Sequence, residues 1–219
     1  MAKSRPTPKP ASKSVSKPAA DPEVATQILE AALARAEHQG WDSLRLRDVA
    51  QDLGLSLTEI QAQYRDLDAI ADAWFRRGWD AMLAPPPEAF GALPAQERLR
   101  ILLLRWFDAL APHRRVTGQM LSAKLYPSHP HHWVPMVFNL SRTIHWLRDA
   151  AGLDAGGRRR QLEEVGLTAL FLASLRDWLR DDSPDQARSR DRLARRLAAS
   201  DRLMVRLYGP ASSPKGPSK

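Results

Sequence analysis

Apolar residues recur at three- and four-residue intervals along most of the chain, and no stretch alternates apolar with polar long enough to form a strand; the pattern predicts an all-α fold. Val24, Ile28, Ala31, Ala32 and Ala36 fall on one face of a first helix. It opens at Asp21-Pro22-Glu23, which supplies a capping oxygen, a ring with preset φ and an acid at the positive end of the dipole, and it stops at Gly40. Trp41 anchors the turn that follows. Leu46, Val49, Ala50 and Leu53 mark a short second helix, which Gly54 ends in the left-handed conformation. Leu55 plugs the next turn. Ser56 with Glu59 three residues on makes a capping box for a third helix that turns Ile60 and Tyr64 inward. Asp66 caps a fourth, whose inner face is Leu67, Ile70, Ala71, Trp74 and Gly78.

Pro85, Pro86 and Pro87 break this series, and Gly91 to Pro94 prolongs the interruption. A second helical unit follows from Ala95. Its stripes are Leu99, Leu102, Leu103, Trp106 and Leu110; then Val116, Met120 and Leu121; then Trp133, Met136, Val137, Leu140, Ile144 and Leu147. Two longer helices close the series. The first carries Leu162, Val165, Ala169, Leu170, Ala173 and Trp178; Ser183-Pro184 opens the second, with Leu193, Leu197 and Leu203. Small residues at Gly166, Ala169 and Ala173 predict that these two helices pair with their copies in a four-helix homodimer interface. The expected organisation is a disordered arm over 1–20, a helix-turn-helix module over 21–83, a proline-rich hinge over 84–94, a larger helical domain over 95–208 and a disordered tail over 209–219.

Composition narrows the function classes. The sequence has 0 Cys, which excludes disulfides, thiolate nucleophiles and cysteine-ligated zinc. The longest apolar runs, Ile101 to Leu104 and Leu167 to Leu175, are far shorter than the roughly 20 residues that span a bilayer. The segment Met1 to Ala20, rich in Pro, Ser and Lys, lacks the apolar centre of a secretory signal, so a cytoplasmic location is expected. The net charge of +8 is unevenly distributed. Lys3, Arg5, Lys9, Lys13 and Lys17 make the arm basic, whereas residues 21–83 hold twelve acids against six bases, a net of −6. The part after Leu83 is the basic one.

The order of long helix, short helix, tight turn and third helix is the geometry that lays one helix in a DNA major groove. The residues from Ile28 to Trp74 make the likeness specific: Ile28-Leu29-Glu30-Ala31-Ala32, Gly40-Trp41, Leu46-Arg47-Asp48-Val49-Ala50 and Leu53-Gly54-Leu55-Ser56, then Ile60, Tyr64 and the helix from Asp66 through Ile70. This run resembles the N-terminal signature of the TetR family. The resemblance implies a TetR-like fold, a three-helix DNA-binding domain followed by a ligand-binding and dimerisation domain, and a ligand-responsive homodimeric transcriptional regulator. Departures fall at groove-facing positions: Thr58-Glu59 stands where the family usually has Gly-Thr, and Gln61, Gln63 and Leu67 replace an expected Tyr, His and phosphate-touching Lys.

A second resemblance spans more of the chain with weaker motifs. Arg98-Leu99-Arg100, Trp146, Arg158-Arg159-Arg160, Leu172, Asp182-Ser183-Pro184-Asp185 and Leu193-Ala194-Arg195-Arg196-Leu197 are similar to the lipid-binding accessory family of ubiquinone biosynthesis, itself TetR-shaped. That likeness implies, as the alternative, a carrier that does not bind DNA, with polyisoprenoid lipid and biosynthetic enzymes as partners. The membrane-seeking terminal helix of that family is not evident in Gly209 to Lys219.

Candidate sites follow. Arg45 and Arg47 are suited to phosphates, Gln61 and Gln63 to adenine edges, and Ser56, Leu57, Thr58 and Tyr64 complete the expected DNA-binding surface, with operator DNA as partner. Glu59 is assigned to the capping box. Trp106, Met120, Met136, Leu140, Phe171 and Trp178 are core positions that, by the TetR resemblance, also line a pocket for an unknown small apolar ligand. No phosphate loop, nucleophile elbow or paired-histidine motif points to an enzyme, and no cofactor is implied. His129, His131 and His132 read as a solvated loop, with no neighbouring acid to make a metal site.

Overall fold

The computed structural model describes residues 21–124 and 130–209, with the backbone alone over 130–138. The basic arm, His129, the side chains of His131, His132 and Met136, and the tail from residue 210 lie outside the described residues. Among the described residues there are nine helices and no strand: α1 (Pro22–Gln39), α2 (Leu46–Leu53), α3 (Leu57–Gln63), α4 (Leu67–Leu83), α5 (Ala95–Leu110), α6 (Arg114–Lys124), α7 (Pro130–Ala150), α8 (Gly157–Leu179) and α9 (Ala187–Tyr208).

The predicted start and stop signals of the first four helices are formed. Asp21 Oδ1 accepts the Glu23 amide at 2.9 Å and Asp66 Oδ1 the Ala69 amide at 2.8 Å. Gly54 ends α2 at φ 65°, in the left-handed region. Below these caps, Ile28, Ala32, Ala36, Val49, Ile60, Ile70 and Trp74 are buried together, joined by Leu29 and Leu33 of α1.

The core does not stop at the proline-rich segment. Phe90, inside a 3-10 turn at Phe90–Ala92, is buried. Arg105 donates to the Ala84 carbonyl at 2.9 Å and the Pro85 carbonyl at 3.3 Å, so α5 is stapled to the end of α4. Helix α4 packs along α5, closely enough that a Cβ placed on Gly78 would lie 2.7 Å from Trp106 Nε1. The buried side chains on either side of residues 84–94 form one continuous cluster.

Helix α8 corrects the single stripe expected of it. Leu167, Leu170, Phe171, Ser174 and Trp178 face the core, whereas Leu162, Val165, Ala169 and Leu172 point outward. The apolar positions of one helix thus serve two faces. Nor does the last helix begin at Ser183-Pro184. Those residues enter a 3-10 turn in which Asp185 and Gln186 both take positive φ, 50° and 56°, and α9 starts at Ala187. Asp181 holds this turn. Burial pushes its carboxyl up, but the Ser183 hydroxyl, the Ser183 amide and the Ser189 amide all donate to it and prevail, holding it well below the usual carboxylate range.

Two outcomes follow for stability. Gly78→Ala drives a methyl into a buried indole; despite the better helix propensity of Ala, it should lower unfolding free energy by about 1–3 kcal/mol in a urea melt. A lowered folded-state pKa stabilises at pH above the unfolded value of about 3.9 and is lost as pH falls through it toward the folded value. The stability gap between wild type and Asp181→Asn should therefore be widest near pH 6–7 and shrink below about pH 4.

Candidate nucleic-acid interface

Three contacts fix the attitude of α2 and α3 on α1. The Arg35 guanidinium grips the Asp52 carboxylate in two bonds, Nε to Oδ2 at 2.7 Å and Nη2 to Oδ1 at 2.6 Å, joining α1 to α2. The Tyr64 hydroxyl, at the end of α3, donates to the Ala25 carbonyl at 3.0 Å, and burial pushes its phenol up. Gln63 Oε1 accepts the Asp21 amide at 2.9 Å. Gln63 therefore turns toward the start of α1 rather than outward beside Gln61. Equivalence of the two glutamines, expected from the sequence, is not what the fold produces.

The start of α3 is fixed by the capping box. Glu59 Oε2 accepts the Ser56 amide at 2.8 Å, and the Ser56 hydroxyl oxygen accepts the Glu59 amide at 3.2 Å. Hydrogen bonds from the Ser56 amide and hydroxyl hold the Glu59 carboxyl below its ordinary range. Its acidity is directed at the cap.

What remains on the outer face of α3 is Leu57, Thr58 and Gln61, all exposed, Leu57 at 56%. These three, with Leu46, Tyr64 and Arg65, line one shallow open depression. Two exposed guanidiniums belong to the same module, Arg65 in the lining and Arg47 on α2. Arg47 and Arg65 each have 78% of the side chain exposed and reach only a neighbouring carboxylate, through Nε: Arg47 to Asp48 at 3.4 Å and Arg65 to Asp66 at 3.0 Å. Arg45 is exposed too, but its Nη1 donates to the carbonyls of Asp42 and Leu44, which draws it back to the backbone. Arg65, two residues past the end of α3, is not among the residues to which the sequence points, because the extended Tyr64 takes it off the helical spacing.

The module is tied to the second half by polar bonds across the core boundary. Trp74 Nε1 donates to Thr117 Oγ1 at 2.8 Å, and the Trp41 amide to Gln119 Oε1 at 2.8 Å. Glu37 takes His113 at 3.1 Å and Arg115 at 3.2 Å, while Lys124 reaches Asp72 at 3.1 Å and Asp68 at 3.7 Å. All of α6's partners here lie on α1, α4 or the turn between α1 and α2.

The expected ligand-pocket residues divide. Trp106, Phe171 and Trp178 come together with Phe107, their rings packed at centroid distances of 5.2 to 6.5 Å. Met120 is buried on α6, Leu140 is half-buried on α7, and Met136 falls outside the described side chains. The aromatic rings fill the interior instead of lining a chamber. A void of about 10 Å³ beside Phe107, Ser174 and Trp178 has the room of one water molecule. The Ser174 hydroxyl and Trp178 Nε1, both buried, find no protein partner there.

The chain is similar over most of its length to a structure of a TetR transcriptional regulator from Nitrosomonas europaea ATCC 19718, with 37% sequence identity and a TM-score of 0.72. The match covers 82% of this chain and 98% of that one. No family model and no curated protein matches the chain.

The two glutamines should respond differently to truncation. Gln63→Ala removes a bond at the start of α1 and should cost about 0.5–1.5 kcal/mol in a denaturant melt. Gln61→Ala should stay within about 0.5 kcal/mol of wild type.

Proposed function

The chain belongs to the TetR family of transcriptional regulators, and from that premise we propose that it works as a cytoplasmic homodimer that binds operator DNA and releases or grips it in response to a small apolar ligand. The observation that carries the DNA reading is the outer face of α3. The inner face of the helix-turn-helix is committed to α1, while Leu57, Thr58 and Gln61 stand clear, with Arg47 and Arg65 beside them to hold phosphates. Ser56 and Tyr64 support that face by fixing the helix ends. Arg45, Gln63 and the basic arm are secondary: the first two are engaged by the protein, and the arm lies outside the described residues.

Support for the homodimer comes from the outward face of α8. Val165 is 68% exposed and sits in line with Leu162, Ala169 and Leu172, a stripe at alternating spacings of three and four residues. Such a seam suits a second copy of the same helix. A ligand at Trp106, Phe171 and Trp178 would have to part rings that pack on one another; the feature that speaks for one is the buried Trp178 Nε1 beside the small void, a donor without a protein partner. Nothing in the fold or the comparisons favours the lipid-carrier alternative.

Selection of genomic fragments on the full chain should recover one recurring palindrome, and Arg47→Ala should abolish its enrichment. Val165→Asp should convert the dimer to monomers by light scattering at micromolar concentration and weaken operator binding with it. Failure to enrich any sequence at low salt would overturn the DNA reading, and a wild-type monomer the dimer.

A further inference from the structure

We infer that α3 reads thymine methyl groups, so that each half-site is built on A·T pairs rather than on guanine; this rests on the proposed DNA binding. Ile60 is buried and Ala62, half-buried, has no polar side-chain atom. Glu59 is bound to Ser56, and Gln63 to the Asp21 amide. That leaves Leu57, Thr58 and Gln61 to meet the base edges.

None of the three suits guanine. The O6 and N7 acceptors of guanine are best met by the paired donors of Arg or by Lys. No Lys or Arg lies on α3. Arg65, which follows the helix and lines the depression, has its Nε on Asp66 at 3.0 Å, and Arg47 sits on α2 with its Nε on Asp48 at 3.4 Å; neither is on α3 itself, and both suit phosphates.

The depression has the opposite chemistry. Leu46, Leu57, Thr58 and Tyr64 bring apolar groups to its lining, and Gln61 and Arg65 complete it. The C5-methyl of thymine is the apolar feature that the four bases present in the major groove, and an amide can bond N6 and N7 of the adenine paired with it. An exposed leucine at the tip of a groove-fitting helix gains by covering that methyl. The exposed Arg65 in its lining fits a polyanion above the depression, and disfavours an apolar helix of another protein as its occupant.

The test uses the full chain and the duplex it enriches from a random library at low salt. The expected product is a palindrome whose half-sites carry T·A pairs under α3. Replacing those thymines by uracil, which differs in the C5-methyl alone, should weaken binding about fourfold for each methyl removed. Leu57→Ala should weaken binding of the thymine duplex by a similar factor and that of the uracil duplex by less, the non-additivity expected of two groups in contact. An unaltered urea midpoint for Leu57→Ala would tie its effect to the interface. A half-site dominated by G·C pairs, or equal affinity for the thymine and uracil duplexes, would overturn the inference while leaving DNA binding in place. Absence of any enriched sequence would overturn both.

Discussion

Helix α4 packs against both halves of one continuous core, and the placement of the DNA-facing surface depends on how it does so. Trp74 is the pivot. Its ring is buried on the helix that packs against α1, edge-on to His113 at 5.5 Å, while its Nε1 crosses to the Thr117 hydroxyl of α6, whose own proton goes to the His113 carbonyl at 2.8 Å. One turn further along, Gly78 lets the Trp106 indole of α5 close on the backbone. A buried indole N–H left without a partner costs about 1–3 kcal/mol, and a core side chain cannot be enlarged without a shift of its neighbours. The four helices joined by Trp74 and Gly78 are therefore held in register by directional as well as apolar contacts.

The charges follow the same division. Residues 21–83 are acidic, but Asp52 is taken by Arg35, Glu59 by its cap, Glu37 by His113 and Arg115, and Asp68 and Asp72 by Lys124. Several of these acids thus face the second half of the chain and not the outer side of α3. The basicity of the second half is offset in kind: Arg148 and Arg159 share Glu163, Arg160 takes Glu164, Arg192 and Arg196 share Asp177, and Arg190 takes Asp108. Exposed pairs of this sort contribute about 0–1 kcal/mol each, so they select an arrangement more than they stabilise it. Arg148 is different. It is buried, and it binds the carbonyls of Leu153 and Ala155 as well as Glu163, which fixes the turn into α8.

What could be read from the sequence was what is decided locally. Asp21, Gly54, Ser56 with Glu59, and Asp66 act within a few residues of themselves, and all four signals are where the sequence put them. What could not be read depends on partners far along the chain. Gln61 and Gln63 are alike in isolation; they part because Asp21, 42 residues before Gln63, offers an amide. The outward stripe of α8 merged with its inward one in the sequence because both are apolar and a helix of 23 residues has room for two. The filled aromatic interior was illegible for a related reason: composition gives the rings, and only the approach of α5 to α8 decides whether they enclose space or one another.

The shortage of cations around α3 has a consequence for recognition. Each phosphate that a protein neutralises adds affinity to every sequence alike, through released counterions. A surface with two guanidiniums at its margins gains little of that common term. On the proposed reading, specific binding rests on the fit between Leu57, Thr58, Gln61 and particular bases, a contribution that a wrong base pair forfeits. Scarcity of positive charge on such a surface weakens absolute affinity, yet the ratio of specific to non-specific binding is set by the difference between the two terms. Low background attraction raises that ratio for the same base contacts. An acidic module can on these grounds be a selective reader, provided that two copies bring two such faces to one palindrome and add their contributions.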